Sequence, residues 1–206
     1  MQKAHRLLTA AVLTYLSASA FAATTTHTTS SSFMAQVASG SYTENFNGWA
    51  NDPPAGSLAF SSGGFAYSAF APSNLYLTAG VLGTSQINEA LTLTFTSGNV
   101  TAVGANFFAV NISDALQNVS VTVTLNDGTV ASLTPTSMAD SYRGFISSTP
   151  ITSLTISAPG QSLYASLDNL TVGTAMPVPE PANWALMGLG LAGVVAARRL
   201  SSRKAS

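Results

Sequence analysis

The chain has no cysteine, and its charge is unevenly placed. The first absence excludes disulfide staples and a thiol nucleophile. Of the seven Lys and Arg residues, Lys3, Arg6, Arg198, Arg199, Arg203 and Lys204 sit near the two ends, and Arg143 alone lies between them. Against Arg143 stand Glu44, Asp52, Glu89, Asp114, Asp127, Asp140 and Asp168, which leaves this middle part at about −6. Clustered Lys and Arg are what nucleic acids and anionic lipid surfaces require, so both are excluded as partners of the middle part. Divalent cations and neutral or cationic partners stay admissible. Histidine is nearly missing: beyond the first 22 residues only His27 occurs. A Ser-His-Asp triad therefore lacks its base. There is no Lys in the middle part, no Gly-rich phosphate loop, and no acidic pair on an aromatic-lined loop of the kind a glycosidase uses. The sequence predicts a protein that is not an enzyme.

What is present is concentrated first at the ends. Lys3 and Arg6 precede an apolar stretch, Leu7 to Leu16, and Ala20-Phe21-Ala22 fits a small-residue cleavage site. These features predict a signal peptide over residues 1–22, read by the secretion translocon and cut by signal peptidase after Ala22. At the other end Val178-Pro179-Glu180-Pro181 leads into an uncharged run from Ala182 to Ala197, followed by Arg198-Arg199. The run is short of the roughly 20 residues a stable spanning helix wants, which suits a temporary anchor. Trp184 favours the outer interface, and the basic cluster at 198–206 places the C-terminus in the cytoplasm. Gly188, Ala192 and Ala196 lie four residues apart, a spacing that lets another helix approach closely. Each proline of Pro179-Glu180-Pro181 fixes its own φ and biases its neighbour towards extended geometry, giving a stiff strip that a protease cleft can take.

In its order of parts, the Val-Pro-Glu-Pro box, the hydrophobic run and Arg198-Arg199, this tail resembles the bacterial PEP-CTERM sorting signal. That resemblance covers about residues 178–199. It implies recognition of Val178, Pro179, Glu180, Pro181, Arg198 and Arg199 by an exosortase-type membrane protease, removal of the tail near Pro181, and delivery to the cell surface or extracellular matrix.

Between the ends lie about 155 residues, the length of one domain. Residues 23–40 open with a Thr/Ser tract and read as a flexible leader with nothing to bury. From Tyr42 onward the pattern has period two. Leu91, Leu93 and Phe95 alternate with threonines, as do Val119, Val121, Val123 and Leu125 with Ser and Thr, and Asn126-Asp127-Gly128 makes a hairpin turn into 129–134. Residues 100–110 are apolar on both faces, which marks a central strand; 151–158 and 167–172 complete the series. The expected fold is all-β, a jelly-roll-type β-sandwich over 41–175, flanked by the N-terminal signal helix and, within a tail at 176–206, a transmembrane helix at 182–197. Gly144-Phe145-Ile146-Ser147, residues 150–154 and Leu167-Asp168-Asn169-Leu170 resemble segments of the lectin-like domains that PEP-CTERM proteins carry. The resemblance implies binding of carbohydrate or exopolysaccharide.

Two carboxylates fall at apolar positions. Glu44 shares a face with Tyr42 and Phe46, and Asp168 with Leu170 and Val172. A buried charge must be paired, metal-bound or neutral. One reading is a structural Ca²⁺ site of Glu44, Asp168 and backbone carbonyls, with Asn45 or Asn169, on neighbouring first and last strands. The other is that Asp168 accepts backbone N–H bonds at a turn and Glu44 faces solvent on an edge. Trp49, Tyr67, Tyr76, Tyr142 and Tyr164 are candidates for stacking on sugar rings or for core filling, with Trp49 favoured for stacking by its polar, turn-rich surroundings. The Thr-x-Thr steps at 92–96 and 122–124 suit a flat hydroxyl array of the ice-ordering kind, or simply the solvent side of strands. The four N-x-[ST] triplets, at Asn99, Asn111, Asn118 and Asn169, are what chance gives in a chain so rich in Thr and Ser. The sequence thus points to an exported surface or matrix protein with a glycan-binding body, or to a structural matrix component without a specific ligand.

Overall fold

Alternating apolar residues build the strands, and two sheets bury the apolar sides against each other. The computed structural model describes residues 24–177 except 50–55, 79, 159 and 161, together with 188 and 190–193. Along the chain the elements are β1 (Thr24–His27), α1 (Ser30–Met34), β2 (Tyr42–Glu44), β3 (Ser57–Ser62), β4 (Phe65–Phe70), β5 (Leu75–Thr78), β6 (Val81–Thr84), β7 (Leu91–Phe95), β8 (Ala102–Val110), β9 (Val121–Leu125), β10 (Val130–Leu133), β11 (Tyr142–Ser147), β12 (Ser153–Ser157) and β13 (Tyr164–Gly173). One sheet has the order β1-β11-β8-β13-β6-β5, with β2 also on β13; the other runs β10-β9-β12-β7-β4-β3. The pairs between named strands are antiparallel.

The core lies between the sheets. Leu91, Leu93 and Phe95 of β7 and Val121, Val123 and Leu125 of β9 meet Val103, Phe107 and Leu167 from the facing sheet. β8 is central, as its two-sided apolarity predicts, and every residue in it but Asn106 is buried. The hairpin turn at 126–128 also forms: Gly128 takes φ 85°, open to glycine, and its N–H donates to the Leu125 carbonyl at 3.1 Å.

The N-terminal segment corrects the sequence reading. Residues 23–40 were expected to be a flexible leader, and from Thr24 on this segment is part of the sandwich. β1 pairs with β11 in the register Thr24↔Ser147 to His27↔Gly144. The Thr29 hydroxyl caps α1 by accepting the Ser32 N–H at 3.2 Å. Phe33 is completely buried on the outer face of the larger sheet, with Val37, Ala102 and Tyr142. Two glycines make its slot: a Cβ on Gly144 would lie 2.5 Å from Phe33 Cδ2, and one on Gly104 would lie 2.9 Å from Phe33 Cε1. The polar strand has no apolar face to bury, so it holds through backbone pairing, and one aromatic side chain supplies the burial. The folded body therefore includes residues before 41. His27, placed by sequence in the leader, lies in this edge strand with its ring edge-on to Phe33 at 6.4 Å.

The signal helix and most of the run at 182–197 lie outside the described residues, though 188 and 190–193 are helical. Among the described residues no helix is long and apolar enough to cross a membrane.

Candidate functional site

At one end of the larger sheet, Tyr76, Thr84, Ser85, Val110 and Tyr164 line an open cleft together with Asn111, Ile112 and Asp114 from the loop after β8. Strand alternation decides which side chains reach it. Leu75 and Leu77 are in the core, so Tyr76 between them points to the outer face. Ala109 and Ala165 are also in the core, so Val110 and Tyr164, which are directly paired, point outward as well. The loop is rigidly built. Asn111 Oδ1 accepts the Ser113 and Ala115 N–H groups at 2.9 and 3.1 Å, and the Asp114 N–H donates to the Asn111 carbonyl at 3.0 Å. Asp114 takes φ 57°, a left-handed conformation that Asp tolerates better than most residues.

The polar groups converge. The Tyr76 hydroxyl donates to Asp114 Oδ2 at 3.1 Å. Burial, followed by this carboxylate acceptor, pushes the Tyr76 phenol up from its ordinary value. Asp114 Oδ1 has no hydrogen-bond partner among the described residues. The Ser85 hydroxyl is buried and also lacks one. Ile112, 83% exposed, forms an apolar rim. Two aromatic rings, an apolar edge and a carboxylate converge on the cleft, a mix of ring faces and polar groups that suits a polyhydroxylated ring. Tyr76 and Tyr164 are two of the five aromatic candidates in the sequence. Asp114 and Ser85 were not singled out there. The Asn-x-Ser-Asp turn at 111–114 was the available signal, and only the sheet brings it to the tyrosines.

The other candidates lie elsewhere. Tyr67 is a core residue stacked on Phe60 at 4.9 Å and 11°, and Tyr142 is buried against Phe33; burial raises both phenols. Trp49 is 38% exposed and sits edge-on over Phe60 at 4.8 Å, away from the cleft.

The Ca²⁺ reading of Glu44 and Asp168 is corrected. The strands are neighbours as expected, with Glu44 opposite Leu170. Between Asp168 and Thr171, however, β13 advances three residues while β8 advances two, from Asn106 to Gly104. This β-bulge, with Asn169 at φ 52°, breaks the period-two relation. Leu170 and Val172 point into the core while Asp168 lies on the outer face with Asn106 and Thr171. Glu44, opposite Leu170, is on the inner side. The two carboxylates are thus on opposite faces of one sheet, and each has other partners. Glu44 accepts the Tyr42 hydroxyl and the Phe46 N–H, and Asp168 accepts the N–H and the Nδ2 of Asn169. Among the described residues no group of three His, Cys, Asp or Glu side chains could hold a metal.

Ala20 and Ala22 of the signal, and Val178, Pro179, Glu180, Pro181, Arg198 and Arg199 of the tail, lie outside the described residues. Just before the tail the chain is pinned: the Ala175 N–H donates to Thr101 Oγ1 at 2.8 Å and the Met176 N–H to the Gln36 carbonyl at 2.8 Å.

Among solved structures the chain is similar to an exo-beta-1,3-galactanase from Phanerochaete chrysosporium, solved with galactose, at 21% identity and a TM-score of 0.27. The match covers 64% of this chain and 28% of that one, and a likeness of this size carries no functional argument. No curated protein matches the chain. Residues 177–200 match the family model of the PEP-CTERM protein-sorting motif, so behind its β-sandwich body the chain carries the C-terminal signal of an exported protein sorted through an exosortase.

Proposed function

We propose that this protein is a glycan-binding module of the cell surface or extracellular matrix, delivered there by its sorting tail. In this reading the signal peptide at 1–22 passes the translocon and is cut by signal peptidase. The helix at 182–197 then holds the chain in the inner membrane until an exosortase acts near Pro181. The frame we infer for the body is a jelly-roll type of sandwich. The observation that supports binding is the convergence of Tyr76, Tyr164 and Asp114 on one open cleft. In this reading the role is binding: among the described residues the cleft is lined by one carboxylate, Asp114, whereas the usual route of glycoside hydrolysis uses a pair.

The test is glycan-array binding by the mature protein, followed by titration of the best polysaccharide. Tyr164→Ala is expected to weaken binding about tenfold or more, equivalent to at least about 1.4 kcal/mol, while Trp49→Ala leaves it within twofold. The reverse pattern would move the site to the exposed indole, and no binding by the unaltered protein would remove the module reading.

A second reading, a structural matrix component, has its own observation. On the outer face of the smaller sheet Thr124, Thr155 and Thr92 stand in register across β9, β12 and β7, with Thr122 opposite Ser157 and Ser153 opposite Thr94. This hydroxyl face carries no charge and suits weak, multiple contacts with matrix polymers. Retention at the surface without glycan selectivity supports it.

A further inference from the structure

We infer that the cleft selects glycans bearing a free amine, a partially or fully deacetylated amino-sugar polymer, over neutral and acidic ones. The inference rests on the binding role proposed for this cleft and adds the charge class of its ligand. Among the described residues Asp114 is the only charged side chain lining the cleft. One carboxylate oxygen is engaged by a neutral phenol, Tyr76, and the other has no partner among the described residues. Among the described residues no Lys or Arg pairs with it. Arg143, the one basic residue between the ends, turns to the carbonyls of Asp140 and Tyr142 at 3.3 and 2.6 Å.

A carboxylate without a counter-ion, flanked by two aromatic rings, is better matched by an ammonium than by a hydroxyl. The ammonium makes a charge-assisted hydrogen bond to Oδ1, and a ring face adds cation–π attraction. A hydroxyl gains only the ordinary bond. A uronate brings a second negative charge to a body that is already acidic, and is repelled. The rings of Tyr76 and Tyr164 offer apolar faces to a sugar, so a sugar is held as well as an amine.

The experiment uses the mature protein with two short probes of the same backbone, a glucosamine trimer and an N-acetylglucosamine trimer, and a uronate trimer as the third. At about pH 6 and physiological salt, where the glucosamine amine is largely protonated, the free-amine trimer is expected to bind about tenfold tighter than the acetylated one, the difference between a charge-assisted and a neutral hydrogen bond. The uronate trimer is expected not to bind. Asp114→Asn keeps the left-handed turn, because Asn tolerates that backbone, and is expected to erase the preference by weakening the free-amine trimer about tenfold more than the acetylated one. Equal binding of the two trimers overturns the amine selectivity and leaves the glycan-binding role standing. A preference that survives Asp114→Asn also overturns it, since it then comes from the general acidity of the body. Failure of all three trimers, with Tyr164→Ala without effect on any polysaccharide, overturns both.

Discussion

Asp140 accepts the backbone N–H and the hydroxyl of both Thr136 and Ser137, and these bonds, led by the Thr136 N–H, hold its carboxyl well below the usual carboxylate range. Asp168 lies on the outer face of the larger sheet, with no cation against it among the described residues; partial burial pushes its carboxyl up, and the Asn169 N–H opposes that only in part. The two acids therefore respond oppositely to pH. The lowered carboxyl of Asp140 contributes stability above its unfolded value of about 4, and that contribution is lost as pH falls through the folded value. The raised carboxyl of Asp168 is a net cost at neutral pH, relieved as pH falls through its folded value. Melting temperatures from pH 7 to pH 3 check this. Asp168→Asn is expected to raise the midpoint by a few degrees at pH 7, with the gain shrinking in acid. Asp140→Asn is expected to lower it at pH 7, with the loss shrinking in acid. A lowered midpoint for Asp168→Asn at every pH would mean that the Asn169 bonds outweigh the desolvation. Glu44 stands apart from both, because its partners, the Tyr42 hydroxyl and the Phe46 N–H, hold the bend at Phe46, where φ is 54°. Burial and this carboxylate push the Tyr42 phenol up to about 12.

At the scale of the element, α1 is too short to fold alone and is fixed by a single side chain. Phe33 enters the slot above Gly104 and Gly144, and the chain after it hydrogen-bonds to the strand end: the Ala38 N–H donates to the Thr174 carbonyl at 2.8 Å, and Val37 bridges Ala175. Phe33→Ala is expected to cost about 3–5 kcal/mol, the range for a buried Phe, and to loosen β1 from β11. Hydrogen exchange at 144–147 should then accelerate more than exchange in β7 or β12. Gly144→Ala, which places a methyl group where the ring lies, should give the same local pattern. This element was illegible in the sequence for a physical reason: Thr24 to Ser32 carries no apolar periodicity, and β1 is held through its backbone, which any residue provides. The strands at 91–95, 102–110 and 121–125 were legible because each must place alternate, or all, side chains in the core. The bulge at Asn169 was hidden by the same periodicity, since one inserted residue moved Asp168 to the other face without altering the apolar pattern around it. The cleft was half legible. Its tyrosines could be named, but their meeting with Asp114 depends on four strands and a loop distant in sequence.

At the scale of the molecule, both ends of the body leave the larger sheet at one pole. Thr24 is opposite Ser147, the Ser147 N–H donates to the Thr101 carbonyl, and the Thr101 N–H donates to the Gly173 carbonyl, just before the tail. From this row β8 runs to Val110 at the opposite pole, where Tyr164 and the cleft lie. Its nine residues span about 26 Å at roughly 3.3 Å per step. A chain held by its tail thus has its membrane-directed root at one pole and its cleft at the other, so the binding proposed for the cleft does not have to wait for release. Glu180→Ala separates the two events. It is expected to block tail removal, so that the intact mass of the membrane-held protein still includes Arg198-Arg199, whereas the unaltered protein recovered from the cell surface lacks residues 1–22 and everything beyond about Pro181. Spheroplasts carrying the uncut protein should still capture the same glycan as the processed form, with affinity within about threefold, and this capture should vanish with Tyr164→Ala. Capture that appears only after processing would place the cleft against the membrane and defeat the two-pole reading. Normal removal of the tail in Glu180→Ala would instead take recognition away from the Val-Pro-Glu-Pro box.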